Sequence, residues 1–579
     1  MNITWKIGGE AGFGIMSTGL MFSKIAVRHG YNIFDYVEYP SLIRGGHNVY
    51  EVRVSDSPVY AQEKKADFLF ALNRETVDLH KNELKDGSIV VIDREKFDVN
   101  SADFPDGKVI LYDLPLGKLT LSVGADKVME NNVALGATMA IFKMDLAVLI
   151  TIISEIFAKK GEEVINKNSK AAQAGFDYVT SHPPKNFLLT LPKKKASTQM
   201  IIAGNEAVGL GAITAGCKFF VAYPMTPSSS LMHFMAAHGQ KNGVVVKHAE
   251  DEISVINMAI GASYAGVRSM LGTAGGGFSL MVEGLGLAGI TETPLVLMVG
   301  QRPGPATGMP TWTSQGDLHF VINASQDEFP RIVLAPGDAE EAFFLTVEAF
   351  NLADYYQIPV IILTDKYVGE SHFSLKVFNL DNLFLNRGKI VSWEDEDKVE
   401  GYLRYKITDD GIPVRAFPGM KKAIFTANSY EHDEYGWSSE EAKDRVGQVE
   451  RRNKKLETYK KTIPDPKIYG ESDADLTLVA WGSTKGPVLQ ALKDLREENY
   501  PKKVNFLHLT HVWPLPVPHL ESILSKAKKK LIIEGNSTSQ MASLIRQETG
   551  ITFDHKLLRF DGRPFYPEDI IIKVKEILS

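Results

Sequence analysis

Three segments concentrate side chains able to bind and move charge: Tyr223-Pro-Met-Thr-Pro-Ser-Ser-Ser230, Ala249-Glu-Asp-Glu252, and Gly300-Gln-Arg-Pro-Gly-Pro-Ala-Thr-Gly-Met-Pro-Thr311. In the first, the strand-like run Phe219-Phe-Val-Ala222 meets two prolines. Each proline fixes its own φ and keeps the preceding residue extended, while the serines suit the cap of a following helix. The spacing predicts a rigid corner presenting hydroxyls at the carboxyl end of a strand, where open α/β sheets place their ligands, or equally a stiff turn with no ligand. In the second, Glu252 opens a small, apolar helix running through Gly261 and Gly266. The helix dipole favours a carboxylate in the first turn, so a plain surface acid satisfies the pattern. Turned toward a sheet, the same group is desolvated, its pKa rises, and it can exchange a proton with a ring nitrogen. In the third, Arg302 offers a planar, permanently charged fork to a carboxylate, or serves as a structural ion-pair partner at a strand end.

A further candidate is Ile7-Gly-Gly-Glu-Ala-Gly-Phe-Gly14, between a strand-like and a helix-like run, whose backbone N–H groups are placed to cradle an anion. Its spacing is G-x-x-G-x-G rather than G-x-G-x-x-G, so no dinucleotide site is read. The adjacent residues Glu431-His432-Asp433-Glu434 diverge around a backbone and rarely converge on one ion, which points to a structured loop. Arg451-Arg452 and Lys528-Lys529-Lys530 read as solvated helix ends, with a basic docking face as the alternative.

The elements that position these groups alternate strand-like and helix-like runs, the pattern of α/β domains with parallel sheets. At 579 residues the chain is too long for one core. The text predicts an α/β domain over 1–190, a solvated break at Leu191-Pro-Lys-Lys-Lys-Ala-Ser197, a second α/β domain over 191–375, a charged connecting arm over 376–470, and a third α/β domain over 471–579. Hydrophobic content of 44%, charged content of 23% and a net charge of -7 fit an ordinary globular chain with no overall pull toward nucleic acid or anionic lipid. No secretory pattern is read in Met1-Asn-Ile-Thr-Trp-Lys-Ile-Gly8, and the apolar run Leu146 to Ile153 is far too short for a membrane span, so a cytoplasmic protein is expected. The lone Cys217 excludes a disulfide framework and reads as a buried structural thiol.

Taken together, Tyr223-Pro-Met-Thr-Pro227, Glu252 with Gly261 and Gly266, Thr273-Ala-Gly-Gly-Gly-Phe-Ser-Leu-Met281, Gln301-Arg302 through Gln315-Gly-Asp-Leu318, Glu38-Tyr-Pro-Ser-Leu-Ile-Arg-Gly-Gly-His47 and Glu431-His-Asp-Glu-Tyr-Gly436 resemble the fused gamma–alpha subunit of CoA-dependent 2-oxoacid:ferredoxin oxidoreductases. Met225 stands where that family has Ile, a volume-conserving change. The resemblance implies three doubly wound α/β domains: a gamma domain, a thiamine pyrimidine-binding domain and a transketolase C-terminal-like domain. It implies oxidative decarboxylation of a 2-oxoacid, 2-oxoglutarate favoured, to acyl-CoA and CO₂ with electrons passed to ferredoxin.

The resemblance also implies roles for matched positions. Tyr223, Pro224, Thr226, Pro227 and Glu252 would hold thiamine diphosphate, and Glu252 would pair with N1′ of its aminopyrimidine so that the 4′-amino group serves as an internal base for C2–H. Thr226, Glu252 and Arg302 would be catalytic, and Arg302, Thr307, Gly12 and Arg44 would meet substrate or coenzyme A. No metal ligand is assigned to this chain. Gly316-Asp317-Leu318 and Gly337-Asp338-Ala339 do not spell the Gly-Asp-Gly element that holds Mg²⁺ at a diphosphate, and one Cys cannot ligate a [4Fe–4S] cluster. A separate beta subunit would therefore supply both, in an αβ or (αβ)₂ assembly. A non-oxidative thiamine-dependent decarboxylase or synthase subunit and a non-catalytic docking subunit are the alternatives.

Overall fold

The computed structural model describes the chain apart from residues 43–44, 106–107, 195–197 and 395. Arg44 therefore lies outside the described residues. The fold is α/β, built on three sheets, and the chain divides into two compact units. The first comprises Met1–Ile202, Ser371–Phe378 and Tyr566–Asp569; the second comprises Ala203–Glu370, Asn379–Phe565 and Ile570–Ser579.

The first unit holds an eight-stranded sheet with Asn2–Glu10 near its centre. It is not purely parallel. His47–Ser55 runs antiparallel to both Asn2–Glu10 and Asn32–Glu38, because the connection after Glu38 is too short to carry the crossover helix a parallel return needs. Trp5 stacks near Phe22 and Phe68 in its core. Helices Glu130–Ile141 and Glu162–Ser181 cross at two glycines: a Cβ on Gly136 would lie 1.8 Å from the Ala172 carbonyl oxygen, and one on Gly175 would lie 2.0 Å from that of Val133. Gly136→Ala is expected to destabilise this unit by about 1–3 kcal/mol or more, through forced separation of the two helices, as read in denaturant unfolding.

In the second unit six parallel strands run in the spatial order Ile332–Leu334, Pro359–Asp365, Leu295–Gln301, Ser269–Ala274, Phe219–Ala222, Val245–His248, with His511–Trp513 antiparallel on one edge. The buried strands are continuous apolar runs, as required when helices cover both faces. The chain enters at Phe219–Ala222, steps outward to Val245–His248, then returns to Ser269–Ala274 on the other side. The order reverses there, and the carboxyl ends of Phe219–Ala222 and Ser269–Ala274 flank the crevice.

A five-stranded sheet, Lys467–Tyr469, Val504–Leu509, Leu476–Trp481, Lys530–Glu534 and His555–Leu558, completes this unit and shares an apolar core with the preceding sheet through Trp481, Leu507, Leu297 and Phe278. Cys217 is buried, and desolvation pushes its thiol up to about 12.

The charged text before Lys461 forms helix Ala442–Lys460, but Arg451 and Arg452 are not solvated helix ends. Both are buried in mid-helix. Arg451 grips Glu292 through both terminal nitrogens, and Arg452 grips Glu431 at 2.7 and 2.9 Å. Lys455 pairs with the same Glu292. Glu292 follows the end of helix Gly275–Ile290 with φ 51°, so the arm helix fixes the far end of a helix whose first turn lies at the crevice.

Candidate active site

Four strand ends deliver the candidate residues to one edge of the central sheet. Ala222 is in register with Gly272 and with His248, and Ala274 with Gly300. The segments that follow, Tyr223–Pro227, Glu250–Glu252, Gly275–Gly277 and Gln301–Arg302, therefore leave the sheet side by side. A Cβ on Gly300 would meet the Pro227 ring at 2.8 Å, so the glycine allows the proline corner to pack directly on the neighbouring strand.

The corner is held by groups that its own sequence does not show. Asn205, fully buried, donates to the Pro227 carbonyl at 2.8 Å and to the Ser230 hydroxyl at 2.7 Å. Ser228 precedes helix Ser229–His238 but does not cap it; its hydroxyl donates to the Met225 carbonyl at 2.7 Å. Tyr223 and Pro224 are exposed at the rim, where the Tyr223 ring stands edge-on to His248, and Thr226 is half-buried.

Of the three adjacent acids, Glu250 is exposed and Asp251 caps helix Glu252–Tyr264 by accepting from the Ser254 N–H at 2.7 Å. Glu252 alone turns inward, 4% exposed. Its Oε1 is buried with no hydrogen-bond partner among the described residues. The carboxylate lies over the first turn of helix Gly275–Ile290: a Cβ on Gly277 would fall 2.6 Å from Glu252 Oε1 and 2.2 Å from Thr273 Oγ1. A buried carboxylate oxygen without a donor is costly.

Arg302 donates from Nη1 to the Thr226 carbonyl at 2.8 Å, which ties the strand end to the proline corner. Its Nε is buried without a partner, and among the described residues it makes no ion pair. Burial lowers its pKa and Asp317 opposes that shift. Asp317 packs on the same glycine turn: a Cβ on Gly275 would lie 2.6 Å from its carboxylate. Desolvation pushes Asp317 up to about 6, against the pull of Arg302. The loop beyond Arg302 overhangs this turn, with the Ala306 carbonyl 3.8 Å from a Cβ on Gly276. Thr307 is exposed on that loop, whereas the Thr311 hydroxyl is buried without a partner among the described residues.

Sequence reasoning missed Asn205, Thr311 and Asp317. Thr311 and Asp317 lay inside the matched motifs; for Asn205 the only signal was a buried-type position in the first turn of the mostly small, apolar helix Gly204–Thr214. A cavity of about 620 Å³ opens between helices Glu252–Tyr264 and Gly275–Ile290, lined by Ile253, Ile256, Leu280, Glu283 and Glu431 among others. Glu431 is spent on Arg445 and Arg452, and the His432 ring packs on Tyr405, so the acidic loop is a structural joint.

In the first unit, Gly12 (φ 98°) and Gly14 (φ 70°) shape the turn between strand Asn2–Glu10 and helix Ile15–Arg28. Gly12 borders a separate cavity of about 340 Å³ with Lys96 and Lys127 at its wall. The Gly-Gly-His47 turn places His47 Nε2 2.8 Å from His80 Nε2, and His80 meets Glu83 at 2.7 Å. Desolvation, with His80 as neighbour, pushes His47 down to about 4.

Residues 210–451 match the family model for the thiamine diphosphate-binding region of pyruvate flavodoxin/ferredoxin oxidoreductases, and residues 4–178 match that for pyruvate ferredoxin/flavodoxin oxidoreductases. The chain is 33% identical to the 2-oxoacid:ferredoxin oxidoreductase subunit alpha of Saccharolobus solfataricus, covering 100% of this chain and 98% of that one. It is 33% identical to 2-oxoglutarate synthase subunit KorA of Methanothermobacter thermautotrophicus over 64% of this chain and 97% of the other. A solved 2-oxoglutarate:ferredoxin oxidoreductase from Magnetococcus marinus, with 2-oxoglutarate, coenzyme A and succinyl-CoA bound, superposes with a TM-score of 0.92 at 32% identity over 100% of both chains. The chain belongs to the 2-oxoacid:ferredoxin oxidoreductase alpha subunits, an oxidoreductase family.

Proposed function

We propose that this chain is the alpha subunit of a CoA-dependent 2-oxoacid:ferredoxin oxidoreductase acting on a 2-oxoacid, with 2-oxoglutarate favoured, and that it holds the pyrimidine half of thiamine diphosphate. The observation that carries this reading is the buried, unpartnered Oε1 of Glu252 beside a glycine-floored crevice at the switch point of the sheet. That donor-free oxygen fits a protonated ring nitrogen, and the corner Tyr223, Pro224, Thr226 and Pro227 forms the opposite wall. When bound, the cofactor supplies a nucleophilic ring carbon for the 2-oxo group and accepts the electron pair released with CO₂.

The chain's own residues do the rest of what is proposed here. Glu252 holds the proton at the ring nitrogen. Arg302, fixed at one nitrogen by the Thr226 carbonyl, turns its remaining donors to the 2-oxoacid carboxylate or to coenzyme A. Gly12, Arg44 and Thr307 are further candidates for substrate or coenzyme A. Mg²⁺ and a [4Fe–4S] cluster belong to a beta subunit, since the one cysteine here is a buried thiol. Exposed Ile253, Met258 and Leu280 beside Glu252 suit docking of that subunit in an αβ or (αβ)₂ assembly with ferredoxin as acceptor. The second-reaction reading, a non-oxidative thiamine-dependent enzyme, has no observation in its favour. A cytoplasmic location is the corresponding proposal, and no helix among the described residues is long and apolar enough to cross a membrane.

The test is co-expression with a beta subunit, assayed by 2-oxoacid- and CoA-dependent dye reduction over a panel of 2-oxoacids. Turnover confined to the assembled complex supports the reading, and turnover by this chain alone overturns it. A related prediction uses Gly277→Ala. The added methyl collides with Glu252 Oε1, and displacing a positioned group by about 1 Å costs on the order of 10²-fold. The loss should appear in kcat of the complex with its assembly retained.

A further inference from the structure

We propose that the carboxyl edge of the five-stranded sheet is a seat for the substrate-facing loop, and that Gln315 and Arg563 are positioning residues for Arg302 and Thr307. This inference rests on the assignment of Arg302 and Thr307 to the 2-oxoacid. In that sheet Leu476–Trp481 pairs in parallel with Val504–Leu509 on one side and with the later strand Lys530–Glu534 on the other. The order reverses between Leu476–Trp481 and Lys530–Glu534, so the crevice where an open α/β sheet takes a ligand lies beyond Trp481 and Glu534. A glycine follows each of these strands: Gly482, with φ 53°, and Gly535.

This chain fills that crevice itself. The Gln315 side chain, 1% exposed, donates from Nε2 to the Trp481 carbonyl at 2.7 Å and accepts at Oε1 from the Gly535 N–H at 2.7 Å. Its main chain is held as well: the N–H donates to the Gly535 carbonyl at 2.8 Å, and the carbonyl accepts from the Asn536 amide at 3.1 Å. A Cβ on Gly482 would fall 3.2 Å from Gln315 Nε2 and one on Gly535 would fall 3.3 Å from Gln315 Oε1, so the two glycines leave room for the amide. Gln315 thus bridges both strand ends as a ligand at a switch point does. The two sheets already share an apolar core, so what the amide adds is directional: it sets where the loop ends.

The seat continues under the loop. The Arg563 guanidinium carbon stands 3.2 Å from the ring centre of Trp312, and the Thr313 N–H donates to the Gly562 carbonyl at 3.1 Å. A Cβ on Gly562 would fall 3.2 Å from both Met309 Cε and Trp312 Cβ, so the loop lies directly on that turn. Downstream, Gln540 donates to the Gly316 carbonyl at 2.7 Å and the Asp317 N–H donates to Gln301 Oε1 at 3.0 Å, which returns the chain to the strand end carrying Arg302. Residues 304–309, Thr307 among them, are exposed between these fixed ends. Anchoring both ends restricts the space the middle samples, and with it the placement of Thr307 against a bound 2-oxoacid. The five-stranded sheet then acts on substrate binding without touching substrate.

The experiment uses the assembled complex and 2-oxoglutarate, in wild type, Gln315→Met and Arg563→Ala. It reads KM, kcat, thiamine diphosphate affinity and the hydrogen exchange of residues 303–313. Methionine keeps the length and volume of Gln315 but removes both side-chain hydrogen bonds, and KM is expected to rise about tenfold or more, with a smaller change in kcat. Arg563 is half-buried, so its truncation spares the fold. Its loss should raise KM about two- to fivefold, the scale of one cation–π contact. In both variants the loop amides exchange faster while cofactor affinity holds, because Glu252 and the proline corner lie on the other sheet. Wild-type KM or unchanged loop exchange in either assembled variant overturns the inference, and Arg563→Ala decides it alone if Gln315→Met does not assemble. Cofactor affinity falling as far as substrate affinity also overturns it, since that is general loosening. A wild-type complex with no 2-oxoacid-dependent turnover refutes the proposed reaction instead, and loop exchange read without substrate then decides the seat.

Discussion

Replacing Glu252 by Gln should lower 2-oxoacid-dependent turnover of the assembled enzyme by about 10²–10⁴-fold, the usual contribution of a positioned proton donor or acceptor. The amide matches the carboxylate in shape, so the glycine-floored contact with Gly277 survives. Stability should not fall, because Glu252 Oε1 makes no hydrogen bond that the substitution removes. The loss should lie in kcat, since the interaction is made with a group that changes charge during the reaction. A thermal melt beside the kinetics separates this from misfolding, and a Gln variant with full turnover would sink the role assigned to the carboxyl.

The second large effect is on stability. Among the described residues Glu292 is the carboxylate paired with Arg451 and Lys455, all three buried, and Arg404 donates to the Glu292 carbonyl at 2.9 Å. Glu292→Gln leaves these cations without an anion, and breaking a buried ion pair from one side costs about 3–5 kcal/mol. Lys455→Met should cost far less, because Glu292 keeps Arg451 and burial already pushes the Lys455 ammonium down to about 7. Despite its burial, Glu292 is held well below the usual carboxylate range by Arg451 and Lys455. A depressed carboxylate contributes stability that is present above its unfolded pKa and disappears as pH falls through its folded value. The Gln variant should therefore lose part of the acid-dependent instability of wild type, measured by denaturant unfolding at several pH values. Because Glu292 anchors the end of the helix that begins at Gly275, loosening it should also blunt turnover.

What the sequence disclosed and what it concealed follow from the range of the interactions involved. The strand-to-proline corner, the inward acid and the glycine helix are local patterns: two fixed φ angles, a first-turn carboxylate and small residues can be read without knowing the fold. The same local reading could separate Glu252 from Glu250 and Asp251 only through resemblance, because burial depends on which face of the helix meets the sheet. Asn205 was silent, and Gln301 and Gln315 stood in a matched motif with no role read for them, because each acts on backbone groups brought near it by the fold; Gln315 meets Trp481, more than 160 residues away. Arg451 and Arg452 misled because a charged helix normally faces water. Here the counter-charges Glu292 and Glu431 arrive from elsewhere in the chain. The mixed first sheet was hidden for a related reason, since alternating runs do not reveal which strands pair antiparallel across the short connection after Glu38.

The central claim is that a shielded carboxyl in this chain manages the proton of a thiamine ring. Hydrogen–deuterium exchange at C2 of thiamine diphosphate bound to the assembled complex, followed by NMR after rapid quench, tests it without substrate or acceptor. The account predicts fast exchange in wild type and exchange slowed by about 10²-fold or more in Glu252→Gln; equal rates in the two proteins, with the cofactor bound in both, would contradict it.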